Sequence, residues 1–406
     1  MGAVAVFVAG SVGCAAAPSM LALILARALQ GLGGGGLMVL SQALIGELVP
    51  PVDRPRYQGY FAMIFTASSV GGPLVGGLVV HYADWRWLFG ANVPLGALAA
   101  WRVSRLPAAP RSAQRDGPRD PVGLLLFALT ACAALLWLSL SGHRFPWVSA
   151  PGAALLAVAA AAGAALLHQQ RRHPAPLLPL DLLRLPGVPW ICATVMCFAA
   201  SLFALVFLLP IHLQIGHGSS ASSAGWQMLP LTGGLVLGAT LNSRITLRTL
   251  TPARTPPWGL AAAAVALLAM GWLPAQPWAL GLAAGIVGLG FGTVMPAAQL
   301  STQMLAGRER LGVAAALLSL ARSCGASLGT AAFGGLVFTL LRVQPHEGGT
   351  AGALQLGNLS PAQINHAFHV AYLSLAVFVA LGAWAASRVP RVRLAAWAPA
   401  PSPAVE

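Results

Sequence analysis

Ser68-Ser69-Val70-Gly71-Gly72-Pro73-Leu74-Val75-Gly76-Gly77 sits inside an apolar run from about Tyr57 to Val80. In a water-exposed helix each glycine costs roughly 1 kcal/mol relative to alanine. A bilayer changes that balance, because no water competes for the backbone and small residues let neighbouring helices approach closely. Gly72 and Gly76 are four residues apart, as are Pro73 and Gly77, so two adjacent ridges of one helix face lack side chains. Pro73 removes a backbone donor and bends the helix. The stretch reads as a close-packed, bent segment of a membrane-spanning helix.

The rest of the chain agrees. Of 406 residues, 57% are hydrophobic and only 8% charged, with mean hydropathy +0.75, against about 25% charged in soluble domains. This is an integral membrane protein. All 23 basic residues are arginine, and the net charge is +14. These arginines fall between apolar runs, so they act as topology signals and nucleic acid is excluded as a partner. The five cysteines lie within apolar runs without metal-ligand spacing, and a disulfide framework is not expected. No nucleophile–base cluster or metal constellation appears, so no enzyme, metal or cofactor is expected. The first apolar run leads into another span without the charged leader of a signal peptide.

A spanning helix needs roughly 20 apolar residues. Twelve runs qualify, at 2–17, 20–48, 57–80, 86–104, 122–141, 148–168, 188–214, 223–244, 257–274, 278–300, 311–341 and 366–387. With the first helix running outward, the inner loops and the tail hold eighteen arginines and the outer loops three, Arg86, Arg144 and Arg342. That bias places the carboxy terminus in the cytoplasm. Arg27 and Arg322 fall within spans, where a charge is costly and marks function by default.

An internal repeat is also present. Gly31-Leu32-Gly33-Gly34-Gly35 recurs as Gly288-Leu289-Gly290-Phe291-Gly292, and Gly59, Gly72 and Gly76 recur as Gly312, Gly325 and Gly329. Duplicated parallel halves with a substrate site between them are the build of one transporter class. The expected division is 1–104, four helices of a six-helix amino-terminal bundle; 105–168, a cytoplasmic loop and two inserted helices; 169–187, a cytoplasmic linker; 188–387, a six-helix carboxy-terminal bundle; and 388–406, a disordered tail. The loop 342–365 reads as a flexible outer cap.

These residues resemble the major facilitator superfamily, in particular its fourteen-helix drug:proton antiporter branch (EmrB/QacA-like). Leu23-x-x-x-Arg27-x-x-Gln30-Gly31-x-Gly33 is similar to the family's fourth-helix motif, whose arginine is associated with proton transfer. Ser68-x-x-x-Gly72-Pro73-x-x-Gly76-Gly77 is similar to the fifth-helix antiporter motif, with Ser68 where glycine is usual. Trp85-Arg86-Trp87, Leu209-Pro210-Ile211-His212-Leu213-Gln214 and Ala321-Arg322-Ser323-x-Gly325 resemble further segments of the branch in the same order. The resemblance implies an all-α fold of two pseudo-symmetric six-helix bundles with two linker helices. It also implies that the chain lacks the first two helices and the loop motif that follows them.

The implied function is proton-coupled efflux of lipophilic or cationic drug-like compounds by alternating access, in a bacterial cytoplasmic (inner) membrane. The proton gradient is then the energy source and no cofactor is needed. A periplasmic adaptor, with which Gram-negative relatives can work, is the protein partner the resemblance suggests. The alternatives are a truncated, non-cycling remnant and an importer of another small molecule. Arg27 cannot titrate near neutral pH, so its expected role is electrostatic, tuning a neighbouring proton site. None of the nine acids lies deep in a span. His212, near the outer end of its helix, reads as an interfacial polar residue. Gly72, Pro73, Gly76 and Gly77 form the expected hinge, and Gln30, Gln214, Gln227, Asn242 and Arg322 are the polar residues expected at a substrate cavity.

Overall fold

The computed structural model describes residues 1–50, 53–105, 120–140, 145, 149–173, 180–217, 226–272, 276–307, 310–341 and 360–393. The expected cap loop through residue 359, the linker at 174–179 and the tail from 394 lie outside them, as do the surroundings of Pro73 and Gly77. The regular elements are helices: α1 (Gly2–Ala15), α2 (Met20–Leu48), α3 (Arg54–Tyr82), α4 (Arg86–Gly90), α5 (Asn92–Ser104), α6 (Pro121–Leu140), α7 (Ala150–Arg172) and α8 (Leu180–Arg184). They continue with α9 (Val188–His217), α10 (Leu229–Thr249), α11 (Pro256–Trp272), α12 (Pro277–Gly292), α13 (Val294–Ala306), α14 (Leu311–Leu340) and α15 (Pro361–Ser387). Among the described residues seven helical segments are long and apolar enough to cross a membrane: α2, α7, α9, α11, α12 with α13, α14 and α15. Helices α1 and α6 are apolar but shorter.

Serines start several helices by accepting an otherwise orphan backbone N–H. Ser19 accepts from Ala22 at 3.3 Å and Ser149 from Gly152 at 3.3 Å, and Ser360 and Gln363 form a reciprocal capping box on α15. Two expected runs are each divided by a break. The run 86–104 becomes α4 and α5, separated at Ala91, and 278–300 becomes α12 and α13, separated at Thr293. The Thr293 hydroxyl donates to the Gly290 carbonyl at 2.7 Å, a local bond that competes with the helical ladder.

The buried apolar core belongs to the second half of the chain. Helix α9 lies at its centre between α14 and α15, with Leu205, Leu208, Leu209 and Leu213 fully or almost fully buried. Phe291 of α12 and Phe368 and Tyr372 of α15 join the same cluster. Backbone approach, more than side-chain interlock, joins α10 to α12. A Cβ on Gly238 would overlap the Leu289 carbonyl oxygen, and one on Gly288 would overlap that of Leu231. In the first half α1 packs on α2, α4 and α5. Helix α6 pairs with α7, and the Asp120 carboxylate ties their ends by accepting from Gly123 N–H at 2.7 Å and from the Gln170 amide at 2.7 Å.

The two parts of the chain meet through α2 against α14 and α3 against α10. Both include a close approach near the arginine-bearing ends of these helices. There a Cβ on Gly46 would lie 2.9 Å from a Leu311 methyl, and one on Gly59 would lie 3.5 Å from the Ser243 Cβ. Arg54 is buried there, donating from Nε to the Val49 carbonyl at 3.0 Å and from Nη2 to that of Gly46.

Candidate functional site

Next to these contacts the helices line an open cleft, with about 900 Å³ of empty space counted out into the open. Helices α2 and α3 supply one wall with Met38, Gln42, Gln58 and Phe61. The facing wall comes from α9, α10, α12, α13 and α14, with Phe198, Phe203, Leu235, Phe291, Gln299 and Arg322 among its residues. Most of the lining is aromatic or aliphatic, with a few polar groups set into it.

Those polar groups differ in how they are held. The Gln58 amide donates to Gln42 Oε1 at 2.8 Å, joining α3 to α2 on the cavity wall. Gln299 is 3% exposed, and its Nε2 has no hydrogen-bond partner among the described residues. Arg322 is half-buried and extends its Nη2 to within 3.4 Å of the Met38 sulfur, reaching from α14 to α2.

Of the cavity residues expected from sequence, Arg322 lines the opening and the other four lie elsewhere. Gln30 is buried between α1 and α2, where its Nε2 donates to the Ser11 hydroxyl at 2.7 Å and its Oε1 accepts from Arg27 Nη1 at 2.7 Å. Gln214 is exposed on the last turns of α9 and Gln227 is half-buried just before α10. Asn242 is buried on α10 and accepts from the Thr255 hydroxyl. His212 is buried, where the sequence reading expected an interfacial position. It stacks on Phe368 with ring centroids 4.2 Å apart, and its Nδ1 is 2.9 Å from the Tyr372 hydroxyl. The reason is α15, whose aromatic face covers that end of α9.

Helical geometry relates the remaining residues to the cavity. At 100° per residue, Arg27 shares the stripe of Met38 about 16 Å away along α2. It is exposed there, with its guanidinium 5.5 Å from the Phe89 ring centre. Gly72 lies on the stripe of Phe61, and Gly76 on that of Gln58. A Cβ on either glycine would meet nothing within 4 Å. Their counterparts in the internal repeat differ, because Gly325 and Gly329 on α14 press directly on the Met196 and Ala200 backbone of α9. The glycines of α3 therefore have open space beside them where those of α14 do not.

Sequence reasoning missed Gln42, Gln58 and Gln299. A signal for the last was available in Gln299-Leu300-Ser301-Thr302-Gln303, four polar residues in five within an apolar span.

The family model described as Major Facilitator Superfamily matches residues 1–330. An uncharacterized MFS-type transporter of Mycobacterium tuberculosis, Rv1877, is 33% identical over 371 residues, covering 90% of this chain and 53% of that protein. The chain thus spans about half the length of that relative. The multidrug transporter protein MdtP of Bacillus subtilis is 28% identical over 335 residues, 82% of this chain and 61% of its own. The human organic anion transporter MFSD10 has a similar fold, with a TM-score of 0.63 at 15% identity over 95% of this chain and 75% of that one. With a helical fold built around a central cleft and a family match over most of its length, the chain belongs to the Major Facilitator Superfamily.

Proposed function

We propose that the protein is an exporter of lipophilic, drug-like small molecules, driven by proton antiport through alternating access, in the fourteen-helix branch of the superfamily. Its expected twelve spans then correspond to helices three to fourteen of that branch, with two bundles, two linker helices and a cytoplasmic carboxy terminus. The observation that carries the reading is the largely apolar cavity between α2/α3 and the second half; further along α3, Gly72 and Gly76 meet nothing within 4 Å. A helix face without side chains lets an opposing helix close over it, which is what the return stroke of such a cycle requires. Arg27 supports the same reading, since it stands on the cavity stripe of α2 and is bonded to Gln30. Multidrug and efflux proteins among the relatives favour export over uptake.

The test is efflux of a fluorescent lipophilic dye from cells, with and without a collapsed proton gradient, for wild type, Arg27→Ala and Gly72→Leu. Wild type should lower cell-associated dye only while the gradient stands, and each variant should lose most of that activity. Efflux that persists without the gradient, or that both variants retain in full, refutes the mechanism.

A further inference from the structure

The geometry points to a cargo that carries a hydrogen-bond acceptor, preferably an anionic one, on an apolar frame, with Arg322 and Gln299 as its recognition pair. This inference rests on the export reading above and narrows the substrate class of the same cavity.

The first ground is charge. Arg322 brings a fixed positive charge to the cavity wall. Of the helices that line the cavity, α3, α9, α10, α12, α13 and α14 contain no aspartate or glutamate at all. Helix α2 contains one, Glu47, which is exposed in its last turn and is not a lining residue. In an apolar site of low effective dielectric, like charges repel and opposite charges attract far more strongly than in water. A quaternary ammonium compound in this cleft stops near a guanidinium, whereas a carboxylate or sulfonate is attracted to it.

The second ground is an unmet hydrogen bond. Gln299 is almost wholly buried on the cavity wall, and its Nε2 is without a partner among the described residues. A buried donor left unmet is destabilising, so an acceptor arriving with the cargo is held there. Helices α13 and α14 pack on each other, which puts Gln299 and Arg322 on one side of the opening. The aromatic residues Phe61, Phe198 and Phe291 then enclose the apolar part of the molecule.

The experiment uses three dansyl probes that share one frame: 11-(dansylamino)undecanoate, its methylamide, and the matching 11-(dansylamino)undecyl-trimethylammonium. Saturable binding to the purified full chain is measured by fluorescence, followed by gradient-driven flux in proteoliposomes. The carboxylate should bind at least about tenfold tighter than the ammonium probe, with the amide between them. Arg322→Gln should reduce the carboxylate-to-amide preference to about twofold while the amide still binds, which shows the variant is folded, and Arg322→Lys should keep the preference. Gln299→Leu should weaken both acceptor probes by about fivefold. Equal or tighter binding of the ammonium probe, an unchanged preference in Arg322→Gln, or no saturable binding of any probe overturns the inference. Binding in the expected order without gradient-driven flux supports it and refutes the export mechanism instead.

Discussion

Gly76 and Gly329 occupy matching places in the internal repeat, yet they have opposite surroundings. Gly329 lies on the Ala200 backbone, so a leucine there forces α14 away from α9, whereas a Cβ on Gly76 meets nothing within 4 Å. Gly329→Leu is expected to destabilise the protein by about 3 kcal/mol or more, an overpacking cost, visible as a lowered midpoint of thermal unfolding in detergent. Gly76→Leu should leave that midpoint nearly unchanged and reduce flux. At this scale the sequence was partly legible. The spacing of the glycines predicted a face without side chains, but only the fold decides whether such a face is occupied. The bond between Arg27 and Gln30 was not read, although three residues make nearly one turn and put the two side by side. Gln42, Gln58 and Gln299 were not read either, since an amide in an apolar run looks the same whether it faces a cavity or another helix.

Among elements, the α6/α7 hairpin has a pH-sensitive clasp. The Asp120 carboxyl is held below its ordinary range, first by the Gly123 N–H and then by the amides of Gln170 and Gln169, against an opposing effect of desolvation. A carboxyl whose pKa is lower folded than unfolded adds stability above its unfolded value, and that contribution disappears as pH falls through the folded one. The hairpin should therefore loosen below about pH 4. Proteolysis between α5 and α6, compared at pH 7 and pH 3.5, should accelerate in acid for wild type, and Asp120→Asn should be fast at both. The Gln42–Gln58 bond ties α2 to α3 in the same manner. Gln58→Leu should cost about 1 kcal/mol, read from denaturant or thermal midpoints. Helix positions were well predicted because long apolar runs dominate the chain. The breaks at Ala91 and Thr293 were not, because neither residue interrupts the hydropathy.

At the level of the whole molecule, the two parts of the chain approach closely at Gly46 and Leu311 and at Gly59 and Ser243. Gly59 and Ser243 are placed for a cross-link there, since a Cβ on Gly59 lies 3.5 Å from that of Ser243, within the usual range for a disulfide. In a background with the five native cysteines replaced, the double variant Gly59→Cys, Ser243→Cys should form a disulfide under mild oxidation. Flux should stop when it forms and return with reductant. A protein that keeps transporting while fully cross-linked would show that this end need not open.

The seam between α10 and α12 has a mechanical corollary. Where carbonyl oxygens of one helix rest against bare α-carbons of the other, a slip of a single residue would drive a side chain into a peptide group. The two helices are thus keyed like gear teeth and can travel only as a block. Both contribute to the cavity wall, so that part of the wall is expected to keep its shape in any rearrangement.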